Sequence, residues 1–262
     1  MSHQPLAVPR LRGLLPRLAV EAVVVGVLFV LYNLGRLSLD GHEEVARRNA
    51  GLVRDAQSVL GLPSEAQLQG ALLGVPDLLV AANHYYVGLH FPVTVVFLVW
   101  GFLARPRTEY TWARNLLAIL TFLGLALHVA FPLAPPRMFP EWGFVDSMAA
   151  WGPSAYDGAS AAVANQYAAM PSLHIGWALL IAFVLVRTGP RPLAAAGVLH
   201  AATTVLVVVV TANHWWFDGL VAALLLGIAV WMLPRPGVPV LARLGGGRSR
   251  SGALGAAQGV RG

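Results

Sequence analysis

The chain has 262 residues, a formal net charge of +6 and no cysteine. It is 57% hydrophobic and only 11% charged, with mean hydropathy +0.65. A soluble domain carries about 25% charged residues, so this chain has too few polar side chains to coat a water-exposed surface. The lack of cysteine excludes disulfides and thiolate metal sites.

Six apolar runs, at residues 17–35, 77–103, 112–133, 171–188, 192–211 and 214–233, approach the 20 or so residues that span a bilayer. Unpaired backbone polar groups are costly in lipid, and runs this continuous are not the alternating strands of a barrel. The expected class is all-α: a polytopic bundle of about six transmembrane helices filling one domain, residues 17–233. Residues 1–16 form a short N-terminus, and residues 234–262 a basic, Gly/Ser-rich tail expected to be disordered and to lie against anionic lipid, with no nucleic acid as partner. No small-residue cleavage pattern follows the first run, so it reads as a retained helix and not a signal peptide.

Arginine, the only strong cation in a chain without lysine, precedes the first run. It recurs between the second and third (Arg105, Arg107, Arg114), between the fourth and fifth (Arg187, Arg191), and in the tail. By the positive-inside rule these segments are cytoplasmic, as are both termini, in the cell membrane. Residues 36–76, 134–170 and 212–213 then lie outside. Arg36, Arg47, Arg48 and Arg54 depart from the rule, with Asp40, Glu43, Glu44 and Asp55 nearly balancing them.

Within the first outer segment, Val45, Leu52, Val53, Ala56, Val59 and Leu60 recur at helical spacing, which predicts a helix lying on the membrane. Ser64-Glu65-Ala66-Gln67 has the form of a capping box and starts a further short helix, whose simplest role is a connector. The second run carries Asn83, His84, Tyr85, Tyr86 and His90, polar side chains expected to face the bundle interior. Of these, His90 and Tyr85 are candidate contacts for a substrate headgroup. His128, His200 and Glu21 stand in apolar runs without a matching motif and read as bonds between helices.

The outer segment 134–170 is longer than a connection requires. It opens on Ala134-Pro135-Pro136-Arg137, where two prolines fix the backbone before an arginine suited to bidentate recognition of phosphate. It ends at Met170-Pro171-Ser172-Leu173-His174, where a helix start adds an anion site at Ser172. The last helix begins at Asn213-His214-Trp215-Trp216-Phe217-Asp218. His214 and Asp218 are four residues apart and share a helical face, so the carboxylate can select the imidazole tautomer. That pairing makes His214 a candidate nucleophile and His174 a candidate general acid and base. Asn213, beside the nucleophile, is a further candidate headgroup contact, and Trp215 and Trp216 are expected to anchor the helix mouth at the interface. Arg137, His174, His214 and Asp218 all fall at the outer mouths of helices, a placement that follows from the arginine distribution alone.

At these residues the chain resembles the type 2 phosphatidic acid phosphatase superfamily, in particular the branch of inositol phosphorylceramide synthase and related bacterial proteins. The resemblance implies six membrane helices, His214 as nucleophile with Asp218 as its partner, His174 as acid and base, and Arg137 as phosphate ligand. It implies a lipid phosphate as substrate and no cofactor. The chain departs from the wider superfamily at Leu173, usually glycine, and at Val208 and Ala130, where an arginine and a lysine are usual. Two rivals stand beside this reading. One is a metal-dependent enzyme using His84, His90, His174 and His214, which lacks the carboxylates and His spacing such sites use. The other is a transporter or lipid-binding protein on the same frame, which lacks the expected internal repeat.

Overall fold

The computed structural model describes residues 13–37, 41–157 and 165–235, and among them every regular element is helical. The N-terminal residues 1–12 and the tail from 236 onward lie outside the described residues, as do 158–164 within the second outer segment. In chain order the helices are α1 (Leu14–Leu37), α2 (Glu43–Val59), α3 (Glu65–Gly70), α4 (Pro76–Gly88) and α5 (His90–Ala104). They continue with α6 (Arg107–Ala130), α7 (Ser147–Trp151), α8 (Leu173–Thr188), α9 (Arg191–Val210) and α10 (Trp216–Met232).

The helices α1, α6 and α9 are each long and apolar enough to cross a membrane, while α8 and α10 are shorter apolar helices packed among them. The second predicted run is not one rod. It breaks into α4 and α5, bent by 41°. Pro92 lies in the first turn of α5, where its ring has no N–H to give and crowds the carbonyl four residues back, which accounts for a bend at this point.

A core of Trp112, Leu116, Leu120, Leu180, Ile181 and Leu226 joins α6, α8 and α10. Small residues set the spacing between helices. A methyl group on Gly197 of α9 would lie 3.2 Å from the Ala182 backbone of α8, and one on Gly219 of α10 would lie 2.9 Å from the end of Ile175. Between helices, His200 bonds the Tyr85 hydroxyl at 2.7 Å and Glu21 pairs with Arg114 at 3.6 Å, while His128 of α6 bonds the Pro171 carbonyl in the loop before α8 at 2.9 Å.

The two ends of the bundle differ in chemistry. At one end Arg105 bonds Glu109 and the Thr188 carbonyl, and Arg235 bonds the Arg187 carbonyl and Glu109. The opposite end gathers the exits of α6 and α9 and the starts of α8 and α10, and α2 and α3 lie across it. The buried face of α2 is Ala46, Asn49, Ala50, Val53 and Gln57, whereas Leu52, Val59 and Leu60 of the expected apolar stripe are exposed. Small and amide side chains fit a face that packs closely on loop backbone: Asn49 donates to the Pro132 carbonyl and Ala46 accepts from the Ala134 N–H. Short α3 is capped by Ser64, which accepts from the Gln67 N–H.

Candidate active site

The site is built where three loops meet. Residues 131–134 run beside 167–169, with the Leu133 N–H donating to Tyr167 and the Ala169 N–H donating to Leu133. This pairing turns the Ala169 carbonyl toward His214. The third loop leaves α9 through Ala212, whose φ of +53° lies in the left-handed region. There the Asn213 and His214 N–H groups both return to the Val208 carbonyl, and the Ala212 carbonyl accepts from the Arg137 N–H at 2.8 Å. A non-glycine residue held in this conformation is costly and persists only where its surroundings over-determine it.

His214 is 4% exposed. Its Nδ1 lies 2.9 Å from the Ala169 carbonyl and 3.1 Å from Asp218 Oδ2. A carbonyl can only accept, so Nδ1 carries the proton and the neutral ring presents Nε2 as a lone pair. Burial pushes the imidazole down to about 4; the Ala169 carbonyl opposes the shift and the charge of Arg137 adds to it. Asp218 is fully buried and also accepts the Trp215 N–H at 2.8 Å, so its carboxyl is fixed from two directions. The Ser172 N–H donates to the Asp218 carbonyl, tying the start of α8 to the first turn of α10.

His174, in the first turn of α8, stands with its ring centroid 6.0 Å from that of His214. It stacks on Tyr86 at 4.2 Å and meets His90 at 4.7 Å. The Ser172 hydroxyl accepts from the Ile175 N–H and caps this helix. Arg137 is 7% exposed: its Nε donates to Asn213 Oδ1 at 3.2 Å, its Nη1 lies 3.5 Å from Asp146, and its Nη2 is buried with no partner. The candidates Arg137, His174, His214, Asp218, Ser172 and Asn213 therefore gather at one end of the bundle.

The remaining candidates divide. His90 is 1% exposed and packs against His174, His200 and Trp177, both its nitrogens lacking a partner. The Tyr85 hydroxyl is taken by His200 and Thr204 of α9, so it is Tyr86 that reaches His174. His84 is exposed, in contrast to the inward placement expected of it. Asn83, Tyr86 and His90 recur at helical spacing and take the buried face, which leaves His84 turned outward. Trp215 does not anchor an interface: it is 1% exposed, bonds the Ala134 carbonyl, and packs on Phe139, Trp142 and Phe144.

Sequence reasoning missed Gln57, Glu65, Asp146 and Tyr156. Glu65, 5% exposed, accepts from Gln57 at 2.8 Å and from the Trp216 N–H at 3.0 Å, while Gln57 accepts from the Phe217 N–H. The capping box at Ser64 marked the start of α3 but carried no sign that its glutamate would cap a different helix. Asp146 caps α7, accepting from Met148 and Ala149, and leans on Arg137.

A family model described as the PAP2 superfamily matches residues 52–232, a span that holds all the candidate residues. No curated protein and no solved structure matches the chain. The match is to the superfamily and does not single out its inositol phosphorylceramide synthase branch. With its apolar helices and its gathered histidines, the chain belongs to the PAP2 superfamily, a membership that points to phosphatase-type phosphoryl transfer in a membrane protein.

Proposed function

We propose that the protein transfers the phosphorus-bearing headgroup of a lipid through a phosphohistidine at His214, on the extracytoplasmic face of the cell membrane. The observation that carries the reading is the His214–Asp218 pair at 3.1 Å with the ring of His174 6.0 Å away. In the first step the His214 Nε2 lone pair forms a bond to phosphorus and the P–O bond to the lipid alcohol breaks. Asp218 and the Ala169 carbonyl hold the Nδ1 proton, and His174 delivers a proton to the departing oxygen. In the second step His174 removes the proton of water or an acceptor alcohol, whose oxygen displaces His214 from phosphorus. Splitting one displacement into two in this way is the advantage of a covalent intermediate.

The charge around the site supports a substrate with one negative charge. The guanidinium of Arg137 shares its field with Asp146, His214 is neutral, and buried Val208 stands where superfamily phosphatases carry a second arginine. A monoester carries close to two charges at pH 7, whereas a phosphodiester carries one. The reading therefore favours a diester donor of the phosphoinositol type, with an alcohol acceptor, over a monoester phosphatase. For the face of action, the arginine-bonded end of the bundle is opposite the site, and the positive-inside rule sets that end in the cytoplasm.

The test is to incubate purified protein with headgroup-labelled lipid phosphomonoesters and phosphodiesters, with and without an acceptor lipid, and to quench in alkali, which preserves phosphohistidine. Label is expected on the wild-type chain and absent from His214→Ala, with headgroup release reduced at least about 10³-fold, as for loss of a nucleophile. Release that survives in His214→Ala overturns the mechanism. No turnover of any lipid phosphate by the wild-type protein leaves the lipid-binding or transport reading in its place.

A further inference from the structure

Tyr156 lies in the second outer segment and belongs to no motif of the chain. The Arg137 guanidinium carbon stands 3.8 Å above the centre of its ring, close enough for a strong cation–π contact. Its hydroxyl donates to Asn213 Oδ1 at 3.2 Å, the same oxygen that accepts from Arg137 Nε. The Asn213 amide is oriented in turn by donating to Thr211 Oγ1 at 2.9 Å, so its oxygen has to face the arginine. Tyr86, the ring stacked on His174, lies near enough for its hydroxyl to feel Tyr156. One phenol thus touches both the arginine and the asparagine beside the candidate nucleophile.

The guanidinium is occupied on one face by the phenol, on Nε by Asn213 and on Nη1 by Asp146. What remains is Nη2, a buried donor without a partner. A charged donor in such a place carries a desolvation cost that an incoming anionic oxygen would relieve. We propose that Tyr156 is a positioning residue that holds the Arg137 guanidinium so that its Nη2 edge meets the phosphate. The inference rests on the reading of Arg137 as the phosphate ligand. Tyr156 acts through Arg137 and does not touch the reacting atoms, so its effect must vanish when Arg137 is removed.

The experiment is a double-mutant cycle on the full-length protein, reading kcat/KM for the lipid phosphate it turns over and inhibition by orthovanadate. Tyr156→Phe keeps the ring and loses the hydroxyl, and is expected to lose about fivefold in kcat/KM, one ordinary hydrogen bond. Tyr156→Leu loses the ring as well and is expected to fall about 30-fold, the size of a desolvated cation–π contact, chiefly in KM and with matching weakening of vanadate inhibition. In an Arg137→Ala background, adding Tyr156→Leu is expected to cost less than about threefold, since the contact it removes is already gone. Equal losses with and without Arg137, or a loss in Tyr156→Phe with vanadate inhibition unchanged, overturn the proposal. If Arg137→Ala itself leaves vanadate inhibition unchanged, the phosphate role of Arg137 falls and this inference with it. If Arg137→Ala weakens inhibition but the cycle is additive, only the role of Tyr156 falls. Tyr156→Phe, which changes one atom, keeps the vanadate test available if the leucine variant does not fold.

Discussion

His214 is a histidine kept neutral by its surroundings, and the consequence is measurable as stability. Its imidazole is moved down to about 4 by burial, while in the unfolded chain it returns to about 6.5. Between those values the unfolded state binds the extra proton, so this residue's contribution is complete above about pH 6.5 and is lost as pH falls toward 4. The loss amounts to at most about 3.4 kcal/mol, at 1.36 kcal/mol per pH unit. Thermal unfolding of the wild type and His214→Gln between pH 7.5 and 4 checks it: the wild type should lose ground to the variant as pH falls, and a constant gap contradicts the assignment. At this scale much was legible in the sequence. His214 and Asp218 announce their contact through four-residue spacing, and Arg137 through the prolines before it. The carbonyl of Ala169, which fixes the tautomer, and the ring of Tyr156, which carries the arginine, were not legible. A backbone carbonyl has no residue-type signature, and Tyr156 reaches the site across 57 positions of chain to Asn213.

At the scale of elements, α10 depends on a cap borrowed from elsewhere. Glu65 of α3 accepts from both the Trp216 N–H and Gln57. Glu65→Ala leaves one buried and one part-buried donor unpaired, and is expected to destabilise the protein by about 2–6 kcal/mol at 1–3 kcal/mol for each orphaned group. Glu65→Gln, which retains an oxygen acceptor, should lose less; equal losses for the two variants in denaturant or thermal unfolding count against the cap. The turn before α10 is as exacting. Ala212→Val sets a β-branched residue at a φ of +53°, and is expected to cost at least about 1–2 kcal/mol and to reduce turnover, whereas Ala212→Gly tolerates the angle. Six apolar runs were readable because hydrophobic length is a strong signal, and their positions hold to within a few residues. The break between α4 and α5 was signalled by Pro92 but hidden inside a continuous apolar run. The packing of α2 over the site was hidden for another reason: apart from Val53 its buried stripe is alanine and amide, side chains that give no apolar signal.

Taken as a whole, the bundle has Arg105 and Arg235 bonded to Glu109 at one end and Arg137 held at the other. The orientation proposed here can be tested cleanly because the chain has no cysteine of its own. Single cysteines at Ala149, exposed at the end that holds the site, and at Arg107, exposed at the opposite end, are expected to differ in intact cells. A membrane-impermeant maleimide should label position 149 and spare position 107 until the cells are opened, and the reverse pattern inverts the topology. The cap on α10 also reaches beyond stability. The amide-rich start of a helix is a ready anion trap, and this chain has two such starts at one mouth, those of α8 and α10. The second is filled by the protein's own glutamate and glutamine, so under the function proposed above the start of α8, capped by Ser172 at one N–H, is the helix start left for a phosphate.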